Sequence, residues 1–114
     1  MYRKCQKPGN AVITFDDGPS PYTNKILDIL KANNVKATFF ITGKKLNSNE
    51  SRETFKRILN EGHIIGSHTW FHKRLNETSD EDIVKEMIMT YDLFVELSSN
   101  YILIFLLRQQ IYLF

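Results

Sequence analysis

Two short clusters in this 114-residue chain carry side chains able to do chemistry. The first is Asp16-Asp17, inside Thr14-Phe15-Asp16-Asp17-Gly18-Pro19. An apolar, β-branched run, Ala11-Val12-Ile13-Thr14-Phe15, leads into it as a buried strand would, and Gly and Pro then force a turn. Strand alternation weakens at a strand's end, so two neighbouring carboxylates there can be aimed at one cavity. Like charges so close repel unless a cation or a shared proton relieves them. The second cluster offers the cation site. It is His68-Thr69-Trp70-Phe71-His72, about fifty residues further on. On a helix or helical turn, the i, i+4 spacing places both imidazoles on one face. Two histidines plus one carboxylate is a common protein ligand set for catalytic zinc and other divalent metals, and it leaves positions open for water and substrate. The carboxylate is Asp17 or Asp16, and the other one is free to accept a proton.

Each cluster alone has a plainer reading. Asp-Asp-Gly-Pro is a turn-forming set, and a His-x3-His pair is often two surface histidines. The combination favours a metal site, because two of the chain's three histidines fall in that pair and both clusters follow strand-like runs. Thr69 either orders the loop between the histidines or makes an ordinary local side-chain-to-backbone bond. His63 lies beside an apolar run and is read as a packing residue outside the site. Of the aromatic residues between the ligands, Trp70 and Phe71 are candidates to line a groove, with core packing the expected fate of Phe71.

These residues resemble the NodB-homology polysaccharide deacetylases (carbohydrate esterase family 4), most closely the fungal chitin deacetylase branch. Thr14–Pro19 resembles that family's first motif and His68–His72 its second. Ala37-Thr38-Phe39-Phe40-Ile41-Thr42-Gly43 is similar to its second core strand, and Gly62-His63-Ile64-Ile65-Gly66-Ser67 to the approach to its histidine motif. Cys5-Gln6-Lys7-Pro8-Gly9 resembles the leader of secreted fungal members. The likeness runs over 5–97, the expected domain, and leaves 98–114 as an atypical apolar tail.

The resemblance implies a metal-dependent hydrolase that removes N-acetyl or O-acetyl groups from a polysaccharide such as chitin. Asp16 is then the catalytic base, and Asp17, His68 and His72 hold a divalent metal, zinc first and cobalt as the alternative. The family draws its general acid from a histidine of a later motif, and no histidine follows His72 here. Two other readings stay open: an incomplete fragment that binds metal or carbohydrate without turnover, and an acetylxylan esterase, which escapes the burden of protonating an amine. The expected partner is an acetylated polysaccharide met by a monomer. Secretion is implied by the resemblance alone, since Met1-Tyr2-Arg3-Lys4 has no apolar run of the signal-peptide kind. In fungal relatives a cysteine before the first motif commonly pairs with one far along the chain, so a lone Cys5 suits a secreted domain cut at its C-terminal side.

The elements that must position these residues alternate. Strands are expected near 11–16, 36–42, 63–67 and 101–107, and helices near 22–33, 51–61 and 79–98. The second helix carries Phe55, Ile58 and Leu59 on one face. The third has a stripe of Ile83, Met87, Thr90, Tyr91, Phe94 and Leu97, with a capping start at Thr78/Glu81 or Ser79/Asp82. Repeated β-α units mean parallel strands, with chemistry at their carboxyl ends. The expected fold is α/β, a partial (β/α) barrel of the polysaccharide deacetylase type, truncated after about four units.

A net charge of +2 without any dense basic block argues against nucleic acid. Lys44-Lys45 and Lys56-Arg57 read as solvated faces. In the tail, Tyr101–Leu107 is apolar but too short for a membrane span and is followed by Arg108; it reads as a buried, aggregation-prone strand. The resembled family has Arg-Pro-Pro-Tyr near here, whereas Arg108 is followed by Gln109 and Gln110, so this arginine is read as a coincidence.

Overall fold

The computed structural model describes residue 5 and residues 8–98. The tail over 99–114, with its expected strand and Arg108, lies outside the described residues. The elements run β1 (Thr14–Gly18), α1 (Thr23–Ala32), β2 (Thr38–Ile41), a 3-10 turn (Gly43–Lys45), α2 (Asn49–Asn60), β3 (Ile64–Ser67), a second 3-10 turn (Leu75–Glu77) and α3 (Asp80–Ser98). The strands form one parallel sheet in the order β1-β2-β3. Three β/α units are therefore present among the described residues, in the sense the alternation implied.

Local chemistry explains the boundaries. Ser48 caps α2 reciprocally with Ser51, which starts the helix two residues before the expected position. Ser79 Oγ accepts from the Asp82 amide at 3.3 Å and so begins α3. Helices α1 and α2 end in the same way. Asn34 (φ 52°) and Gly62 (φ 79°) take the left-handed conformation, and Val35 and His63 then donate back to Leu30 and Ile58. Each reversal feeds the chain directly into a strand.

The first strand starts later than the apolar run suggested. Val12 and Ile13 are exposed and precede β1. Among the described residues β1 pairs on one side only, with β2, which leaves Val12 and Ile13 largely open on the other side. The core lies between the sheet and the helices, built from Leu27, Leu30, Phe39, Ile41, Phe55, Ile58, Ile65, Phe94 and Leu97. Phe15 stacks on Phe39 at 5.1 Å, and Phe55 meets Phe94 at 5.0 Å. On α3 the buried face is Glu86, Thr90, Phe94 and Leu97, whereas Tyr91 is exposed. The stripe is thus rotated from the expected one, with a carboxylate in it.

Arg57 also departs from its expected solvated role. Its guanidinium donates to Asn24 on α1 and pairs with Asp28 and Glu61, tying α2 to α1. Its hydrogen bonds to the Asp28 and Glu61 carboxylates hold it still more firmly in its charged form. No described helix is long and apolar enough to cross a membrane.

Candidate metal centre

The ends of β1 and β3 lie on either side of β2 and deliver the two clusters to one place. On β1, Thr14 and Phe15 pair with Thr38 and Phe39, but the next pair is Gly18 with Ile41. Three steps on β1 match two on β2, so one extra residue bulges out at Asp16-Asp17. Asp17 takes φ 63°, a conformation that re-aims its side chain out of the strand's alternation. Lys45 Nζ donates to the Asp17 carbonyl and holds that peptide in place.

On β3 the ladder runs to Ser67, and the His68 amide then bonds the Ile41 carbonyl at 2.9 Å. The histidine pair lies in a loop and not on a helix, contrary to the i, i+4 reading. Thr69 and His72 both have positive φ, 63° and 59°, and this reversal brings the two rings together. Thr69 Oγ1 accepts from the His72 amide at 3.0 Å, so both roles expected of Thr69 are one bond. The loop is fixed from outside as well. Gly43 and Lys44 amides donate to the Thr69 and Trp70 carbonyls at 3.0 and 3.1 Å. Trp70 packs against Gly43, where a Cβ would stand 2.5 Å from the indole ring. The Phe71 amide donates to Glu86 Oε2 at 2.6 Å.

The result is a nearly equilateral triangle of ligand atoms. His68 Nε2 and His72 Nε2 are 3.0 Å apart, and they lie 3.1 and 2.9 Å from Asp17 Oδ1. Each Nε2 offers one hydrogen or one lone pair, and cannot serve two neighbours with it, so hydrogen bonding leaves the trio unsatisfied. A triangle of side about 3.0 Å approaches the ~3.3 Å edge of a tetrahedron with metal–ligand bonds of about 2.0–2.1 Å. The donor set and spacing therefore fit a divalent ion, and Asp17, His68 and His72 are the group among the described residues able to hold one. The site is open to solvent, with the Asp17 and His72 side chains more than half exposed and His68 partly covered.

Asp16 stands next to Asp17 at the bulge, exposed and outside the triad. His63 is buried at the other end of β3. Its Nδ1 accepts the Ala37 amide at 3.2 Å, which leaves the ring proton on Nε2. Burial, with smaller contributions from Lys36 and Arg57, pushes His63 below the ordinary imidazole range, against a weaker opposite pull from Glu61. Phe71 is not in the core as expected: it is 48 % exposed, with Lys44 and Lys73 ammonium groups 6.0 and 5.6 Å from its ring. Trp70 is half-buried. Sequence reasoning missed Gly43, Lys45 and Glu86. Only Glu86 had a readable signal, a carboxylate four residues before Thr90 and eight before Phe94 on the buried face of α3.

Known proteins resemble this chain in sequence and fold. The sequence profile of the polysaccharide deacetylase family matches residues 3–105. The chitin deacetylase of Colletotrichum lindemuthianum is 40% identical over 87 residues, 74% of this chain and 35% of the relative. Its solved structure aligns with a TM-score of 0.79 at 36% identity, over 82% of this chain and 42% of that one. A peptidoglycan-N-acetylglucosamine deacetylase of Bacillus cereus is 45% identical over 82 residues, covering 71% of this chain and 29% of the relative. A cobalt-containing family 4 acetyl xylan esterase from Clostridium thermocellum aligns with a TM-score of 0.72 at 33% identity, over 76% of this chain and 42% of that one. The chain thus spans about a third or less of the length of these curated relatives, and its described fold is part of their barrel. With a family match over most of its residues and a shared parallel α/β architecture, the chain belongs to the polysaccharide deacetylase family.

Proposed function

We propose that this chain carries the metal-binding and water-activating part of a site that removes acetyl groups from a polysaccharide, chitin or a related polymer of N-acetylglucosamine. The observation that supports this best is the convergence of Asp17, His68 and His72 to contacts of 2.9–3.1 Å. In this reading they hold zinc, which suits a donor set of two imidazoles and one carboxylate, with cobalt as the alternative. A bound ion would supply Lewis-acid polarisation of the acetyl carbonyl and lower the pKa of its water towards about 7. Asp16, free of the triad, takes a proton from the water whose oxygen attacks the acetyl carbon. The bond from acetyl carbon to nitrogen then breaks, acetate leaves, and the sugar nitrogen takes up the proton that Asp16 accepted. Phe71, exposed beside His72, offers an aromatic face on which a sugar ring can stack. Polymers of this kind lie outside the cell, and the reading places the working protein there, acting as a monomer.

A second substrate class, an O-acetylated polymer such as acetyl xylan, is supported by the likeness to the family 4 acetyl xylan esterase of Clostridium thermocellum.

The test has two stages. Titration of the chain with zinc should show one tight site that is lost in His68→Ala/His72→Ala; stoichiometric zinc retained by the double variant overturns the ligand set. Acetate release from chitin oligomers and acetyl xylan is then compared with Asp16→Asn. That variant should keep zinc and lose activity by about 10²–10⁴-fold, the usual worth of a general base. Undiminished turnover in it removes Asp16 as the base, and zinc binding with no acetate from either polymer leaves a binding role only.

A further inference from the structure

Helix α3 buries one carboxylate among its core residues. The Glu86 side chain is 4% exposed, on the same face as Thr90, Phe94 and Leu97. A carboxylate so placed is costly unless it is hydrogen-bonded. Its Oε2 accepts the Phe71 amide at 2.6 Å, and its Oε1 lies 3.7 Å from Lys73 Nζ. Thr90 Oγ1 bonds back to the Glu86 carbonyl at 2.8 Å, and Thr90 itself is fully buried beside Gly43. Glu86 is therefore anchored below and bonded above, and what it bonds is the loop between the two histidines.

We infer that Glu86 is a positioning residue for the metal centre: by accepting the Phe71 amide it holds the 68–72 loop in the shape that brings both imidazoles onto Asp17, and so sets the affinity for the ion. The inference rests on the metal-site reading above. The loop needs such a constraint. Thr69 and His72 both occupy left-handed backbone conformations disfavoured for residues with a Cβ, and they persist only where surrounding contacts over-determine them. The Thr69–His72 bond and the two amides from Gly43 and Lys44 fix the loop's start and its closure. The Glu86 bond fixes its tip at Phe71. Without an acceptor there, the Phe71 amide turns to water, the loop relaxes, and metal binding must first reassemble the triad. Outer-shell partners of metal ligands are typically worth 10–100-fold in metal affinity.

The experiment is zinc titration calorimetry on the full chain, with thermal stability measured alongside. Glu86→Ala should weaken zinc by about 10–100-fold. Glu86→Asp keeps the charge but is one methylene too short to reach the amide, and should weaken it similarly. Glu86→Gln keeps an oxygen acceptor and should stay within about threefold of wild type. A purely structural role lowers the melting temperature and leaves zinc affinity unmoved; that result in Glu86→Ala and Glu86→Asp overturns the inference. Zinc binding by Glu86→Gln as weak as by Glu86→Ala overturns it too, because charge rather than the amide acceptor would then be responsible. Should Glu86→Ala fail to fold, Glu86→Asp decides. If wild type and His68→Ala/His72→Ala bind zinc alike, the metal-site reading itself fails, which is a separate outcome.

Discussion

His63 and His68 stand at opposite ends of β3, four residues of strand apart, and have opposite fates. His63 enters the sheet at its amino end, buried to 6 % exposure, with its ring edge against Phe39 and its Nδ1 spent on the Ala37 amide. His68 leaves the sheet at its carboxyl end, where the next residue turns left-handed and the ring meets His72 and Asp17. The two differ in what surrounds them, not in chemistry. At the amino end the backbone comes straight from the α2 reversal, packed and without room. At the carboxyl end strands β1 and β3 release their chains into loops, and side chains from both can converge. Parallel α/β sheets keep ligand and catalytic residues at that end for this reason.

The comparison can be broken in several places. The largest effect is expected from His68→Ala, which should remove tight zinc binding as read by calorimetry, whereas His63→Leu should leave zinc affinity unchanged. Zinc lost in His63→Leu, from a well-folded protein, would erase the distinction. Next is Gly43→Ala. Its new Cβ would meet the Trp70 ring at 2.5 Å, so a cost of about 1–3 kcal/mol in urea unfolding is expected, as for overpacking elsewhere. Zinc affinity should fall with it, because the Gly43 amide is one of the loop's anchors.

His63→Leu itself should cost about 1 kcal/mol, for it strips the Ala37 amide of its acceptor. The loss is offset in part because His63 Nε2 is buried without a partner among the described residues and goes too. The smallest effect is in pH. Burial lowers the pKa of His63 in the folded state below the ordinary imidazole value of about 6.5, whereas the unfolded chain protonates near it. The unfolded state therefore binds more protons once the pH drops below about 6.5, and stability falls there with a slope of at most about 1.4 kcal/mol per pH unit. Above that pH the contribution is fully present. Urea melts of wild type and His63→Leu between about pH 7 and pH 5 should diverge in slope by this component. Parallel curves would show that His63 is not held neutral.

How legible the site was depends on which kind of information each part needs. His68, His72 and the Asp16-Asp17 pair stood out because their residue types and strand-end positions carry meaning without coordinates, whereas the choice of Asp17 over Asp16 came from the family resemblance. The helix or helical turn invoked to align the two histidines is absent for a local reason: two left-handed residues and a threonine bond close the same distance in a loop. Phe71 and Arg57 were misplaced because burial is a property of neighbours. Phe71 faces two lysines at the surface, and Arg57 meets Asn24 and Asp28 from a helix some thirty residues earlier. Lys45 left no mark in the sequence at all, since its role is one bond to a backbone carbonyl.

Residue order by itself determined the alternation of strands and helices, the reversals at Asn34 and Gly62, and the ligand types, because propensity, capping and periodicity act within a few residues. The bulge that turns Asp17 towards the histidines, the three-sided clamp on their loop and the burial of Glu86 were decided only by the tertiary structure. Those depend on β1, β2, β3 and α3 meeting at the carboxyl end of the sheet, across distances that no local pattern encodes.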